Sequence, residues 1–77
     1  MDNKIGNTMR LVAITANVAA LHTLLANAAS RSAEAHAFML QGECKAGIGT
    51  LVGLDSALAE AQALFLAALA LHSSRNM

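Results

Sequence analysis

The eleven residues AQALFLAALAL, positions 61–71, carry no charge and no polar side chain except Gln62. A helix that is apolar all round has to be covered all round. Only one other long helical segment is visible in the chain, and a single partner helix covers one side. The rest of the surface calls for a second copy of the chain, another protein or a lipid phase.

The size of the chain points the same way. At 77 residues it is one small domain, a size at which a lone core supplies ~3–5 kcal/mol and a staple or an oligomer partner is usual. Cys44 is the only cysteine, which excludes an intrachain disulfide and fits a reducing, cytoplasmic setting. Hydrophobic residues make up 56% of the chain and charged residues 13%, so the composition excludes disorder. Two Phe and no Trp, Tyr or Pro accompany the Ala and Leu, a composition suited to helix. The fold class expected is all-α: an antiparallel helical hairpin that dimerises into a four-helix bundle. Five basic and five acidic residues cancel, leaving no basic footprint for nucleic acid and no acidic one for a cationic partner.

Outward from residues 61–71, the other long apolar segment is residues 11–30, uncharged between Arg10 and Arg31. Thr15, Asn17, His22, Thr23, Asn27 and Ser30 interrupt it, which argues against a membrane span. It ends in ANAAS, whose small residues also suit a signal-peptidase site; we read it instead as part of helix one. Residues 1–9 read as a flexible arm. MRLVAI, residues 9–14, reads either as an extended apolar segment or as the first turns of the helix, with Thr15 or Asn17 as N-cap. From Val18 an a/d seam follows: Val18, Leu21, Leu25, Ala28, Ser32, Ala35 and Met39. Its middle is small, so a facing backbone is expected to come closest around Ser32. Arg31 and Glu34 are spaced for an i,i+3 pair. Helix one is expected over residues 15–41, with Gly42 as its C′ residue.

GECKAGIGTLVG, residues 42–53, holds four of the five glycines. Two readings fit: a long loop with helix two starting near Asp55, or a short turn leading into a helix that tolerates Gly47, Gly49 and Gly53. Leu51, Leu54, Leu58, Ala61, Phe65 and Ala68 keep three-four spacing, which favours the second, with helix two over residues 46–72. His72 and Arg75 suit its C-terminal, negative end.

No grouping dictates a chemistry. His22 and His36 are fourteen residues apart, ~21 Å of helix, too far to share one ion. His36, Glu43 and Cys44 lie near the turn, but without a C-x-x-C or H-x-x-x-H pattern they make a weak zinc signal. Cys44 has Lys45 and His36 as candidate activating neighbours but no oxyanion motif for nucleophilic catalysis. Gly47, Gly49 and Gly53 lack the strand and the Gly-Lys-Ser/Thr end of a phosphate loop. Asp55 is flanked by core candidates and, if turned inward, needs Arg31 or a hydroxyl.

The order of RLVAI, ALHTLLANAAS, the turn QGE and a second Ala/Leu-rich helix resembles a group of short pseudomonad-type bacterial proteins classed as a domain of unknown function. The resemblance implies a helical hairpin and carries over no site residues.

The function expected is therefore that of a non-enzymatic interaction protein that self-associates, with no cofactor, metal or catalytic residue. Leu21, Leu25, Ala28, Ser32, Leu58, Phe65, Leu66 and Leu69 are the interface candidates. A bundle interior binding a small apolar ligand near Phe38, Met39 and Phe65, or a membrane-associated hairpin, are the alternatives.

Overall fold

The computed structural model describes residues 2–73, with side chains from residue 5 onward. Three helices follow one another: α1 (Asp2–Leu40), α2 (Cys44–Leu51) and α3 (Leu54–Ser73). No strand occurs among the described residues. α2 and α3 form one arm, interrupted at residues 52–53, and fold back on α1 as a hairpin. The molecule measures 62 × 16 × 13 Å, and its long dimension is close to the ~58 Å of a 39-residue helix.

α1 begins earlier than expected. Residues 2–9, read as an arm, are helical, and Thr15 and Asn17 stand inside the helix rather than capping it. Between Gly6 and Gly42 the sequence has neither Gly nor Pro, so nothing halts a helix once it starts. Near its beginning the Arg10 guanidinium donates to Asn7 Oδ1 at 2.8 Å, one turn away.

The helix ends where glycine allows it to. Gly42 takes φ +79°, the left-handed conformation that costs L side chains energy. This geometry lets Gly42 N donate to Met39 O at 3.0 Å and Glu43 N to Phe38 O at 2.9 Å. The pair is a Schellman closure, in which the last orphan carbonyls are satisfied by the two residues beyond the helix. The chain turns at residues 41–43 and re-enters helix at once, with Gly47 N donating to Glu43 O at 3.0 Å.

The short-turn reading is the one observed, with a single interruption. At residues 52–53 the ladder tightens, Val52 N reaching Gly49 O at 3.4 Å, and α3 restarts at Leu54. Asp55 does not turn inward. It is exposed in the first turn of α3, and its Oδ1 accepts the Ser56 N–H at 2.8 Å, where a carboxylate suits the helix dipole.

The contact between the two arms is a heptad seam. On the returning arm Gly47, Thr50, Leu54, Ala57, Ala61, Leu64, Ala68 and Leu71 are buried or half-buried, and their three-four spacing passes through the break unaltered. Thr50 tolerates its place because its hydroxyl donates to Ala46 O at 2.8 Å. On α1 the matching row is Ile14, Asn17, Leu21, Leu24, Ala28, Ala35 and Phe38. Arg31 occupies the slot between Ala28 and Ala35 but leans out over Gly53, and no ion pair among the described residues joins it to Glu34.

The expected seam is thus half right. Leu21, Ala28 and Ala35 line the contact, as do Leu54, Ala61 and Ala68 on the other arm. Val18, Leu25 and Ser32 do not, and neither do Leu51, Leu58 and Phe65; all are exposed, as is Met39, although its thioether reaches across to Gly47. Each misassigned residue sits one position beyond a true seam residue, a rotation of ~100° about the helix. Ser32 lies outside the contact, and a close contact is found instead at the turn end, where a Cβ on Gly47 would lie 3.2 Å from the Ala35 carbonyl oxygen.

Candidate interaction surface

Very little is enclosed. Among the described residues only Ala35, Gly47 and Ala61 are buried, and no side chain larger than alanine is. Small residues at the contact draw the helices together but remove little apolar surface from water. What remains outside is large: Val18, Leu25, Leu58 and Phe65 are each about half exposed, and Ile5, Met9, Leu11 and Val12 more so.

The eight interface candidates separate into three groups. Leu21 and Ala28 are half-buried in the seam, so the partner helix of the same chain already covers them. Leu25, Ser32, Leu58 and Phe65 are exposed in register on the two arms. Leu66 and Leu69 are also exposed but stand at other angles on α3, Leu69 beside the row containing Phe65 and Leu66 on the outward side. Leu11, Val18, Met39 and Leu51 stand in the same rows as the second group and are exposed but are not among the eight. Val18, Met39 and Leu51 are each seven residues from a candidate of their row, and Leu11 is fourteen from Leu25.

The residues weighed for chemistry lie apart. His22, His36 and His72 are exposed, as are Glu43 and Cys44. Among the described residues no three His, Cys, Asp or Glu side chains come together to hold an ion. Arg75 lies outside the described residues. The apolar-ligand site is not assembled: Met39 touches the position of Gly47, whereas Phe65 is eighteen residues farther along, ~27 Å of helix. The concavities that do exist are shallow grooves, one lined by Leu24, Asn27, Ala28, Arg31, Gly53, Leu54 and Ala57. Another, at the open end, is formed by Asn7, Arg10, Leu11, Ile14 and His72.

The fold and surface together define an all-α helical hairpin whose apolar residues lie mostly on its outside. No family model matches this chain, and comparison with curated proteins and with solved structures finds none similar to it.

Proposed function

We propose that the protein is a non-enzymatic interaction module whose hairpin pairs with a second copy in water to make a four-helix bundle. The observation that carries this reading is the surface area. The chain exposes 5821 Å², whereas a compact monomer of 7.9 kDa exposes roughly 4,400 Å². The excess of about 1,400 Å² is more than the ~800 Å² that each partner contributes to a standard protein interface. A cytoplasmic location accords with the single exposed thiol.

Two segments, Ile5–Leu40 and Cys44–Ser73, are long and apolar enough to cross a membrane. The register of the hairpin weighs against their doing so together. Leu11 meets His72 at one end and Ala35 meets Gly47 at the other, so the uncharged residues 11–30 lie alongside residues from about 53 to 72. A bilayer centred on the first set takes in Glu60, and Asp55 at its edge, at a cost of ~2.5–3.5 kcal/mol for a carboxylate near the midplane.

Size-exclusion chromatography with light scattering, in detergent-free buffer at micromolar concentration, tests the reading. The expected mass is twice 7.9 kDa. A stable monomer, or a protein that stays in solution only with detergent, contradicts it.

A further inference from the structure

We infer that one face of the hairpin, made by two rows of mostly apolar side chains spaced seven residues apart, is the surface on which the second copy docks. The inference rests on the self-association proposed above and assigns its contact face. On α1 the row is Leu11, Val18, Leu25, Ser32 and Met39; on the returning arm it is Leu51, Leu58 and Phe65, ending at His72. In each arm the row lies immediately beside the seam. With the arms antiparallel, equivalent flanking positions fall on the same side of the pair. Two observations place them there. Leu11 and His72, the last members of the two rows, line one groove at the open end. Asn27 and Gly53, which flank the seam on the other side, line a different groove with Arg31.

The two sides differ in chemistry. The one bearing Asn27 and Gly53 also carries Glu34 and Glu60 by heptad position, and its members are otherwise small. The other carries seven large apolar residues, from 40% exposed at Leu51 to 63% at Leu11, along ~42 Å of helix. Their exposed area is roughly 600 Å², and with flanking atoms it approaches the ~800 Å² per partner of a standard interface.

A second copy is the occupant that this face fits. Self-pairing about a two-fold axis sets each row against itself or its neighbour, and neither row contains a charged residue apart from the titratable His72 at its end. No like charges are therefore brought together. The facing area also turns each two-helix layer into half of a bundle, enclosing Phe65, Leu58 and Leu25 where a single hairpin leaves them wet.

Sedimentation velocity without detergent, on the full chain and on Phe65→Glu, Leu66→Glu and Ser32→Leu, tests the assignment, with helicity followed by circular dichroism. Wild type and Leu66→Glu, whose change lies one residue away on the outward side, are expected to be dimers of similar affinity. Phe65→Glu is expected to weaken dimerisation at least a hundredfold. Where Phe65→Glu fails to fold, Ser32→Leu decides, because it extends the row at its one hydroxyl: dimerisation at least tenfold tighter supports the face, and an unchanged constant overturns it. A folded Phe65→Glu that dimerises as wild type does overturns the face while leaving self-association standing. A wild type that is monomeric, or that associates only on phosphatidylcholine vesicles, overturns self-association itself.

Discussion

Replacing Gly47 with alanine is expected to destabilise the hairpin, and replacing Gly49, two residues along the same short helix, to stabilise it. Both substitutions gain helix propensity of ~0.8–1 kcal/mol, so their difference isolates what surrounds each position. A Cβ at Gly49 meets nothing within 4 Å. At Gly47 it lies 2.7 Å from Met39 Sδ, 3.1 Å from Met39 Cγ and 3.2 Å from the Ala35 carbonyl oxygen. The thioether is half-exposed and can swing away, but the carbonyl belongs to the α1 backbone, so the two helices have to part by a few tenths of an ångström. Overpacking of this kind costs ~1–3 kcal/mol, which places Gly47→Ala that far below Gly49→Ala. For a domain of this size each kcal/mol shifts the midpoint by ~4–8 °C. Thermal melts of both variants, at one protein concentration, are expected to separate by at least ~5 °C with Gly49→Ala the higher. Equal midpoints, or Gly47→Ala the more stable, refute the claim that the arms are in close contact at Ala35 and Gly47.

Three further outcomes follow from the same geometry. Gly42→Ala forces an L side chain into φ +79° and is expected to cost ~1–2 kcal/mol, read as a lower midpoint in urea with an unchanged slope. Gly53→Ala meets only the Arg31 guanidinium, 2.6 Å from the new Cβ, and that flexible tip yields easily; a neutral effect or a gain of up to ~1 kcal/mol in thermal unfolding is expected as the break at residues 52–53 becomes better helix. Ser32→Leu, at an exposed site whose hydroxyl donates only to Ala29 O at 3.0 Å, is expected to melt at or above Ser32→Ala, and a lower midpoint indicates a tight contact at Ser32 after all.

Several features of the fold were legible before any coordinates. Gly42 as the end of helix one follows from its being the first Gly or Pro after Gly6, set between two apolar periodic segments. The hairpin follows from the shortness of the turn. The start of α1 was not legible, because Asp2 to Thr8 contains polar helix-tolerant residues and one Gly, and no cap or breaker distinguishes an arm from a frayed first turn. The seam was off by one position on half its members because these helices carry apolar residues on two adjacent faces. Leu24 and Leu25 are both leucine, as are Leu64 and Leu66 around Phe65, and a periodicity argument cannot tell which row faces the same chain and which faces outward. The ambiguity is itself informative, since a helix with two apolar faces needs two partners. Small residues set the inner contact at Ala35, Gly47 and Ala61, and the larger side chains of the second row stay outside.

The central claim is that a single hairpin leaves its apolar surface unfinished and that a second copy completes it. Thermal unfolding followed across a hundredfold range of protein concentration, without detergent, tests this most directly. A folded state that requires association gains ~1.4 kcal/mol per tenfold rise in concentration, which for two 77-residue chains unfolding as one unit corresponds to ~3–6 °C per decade. The account predicts a midpoint that climbs by that amount in each decade. A midpoint that does not move with concentration contradicts it.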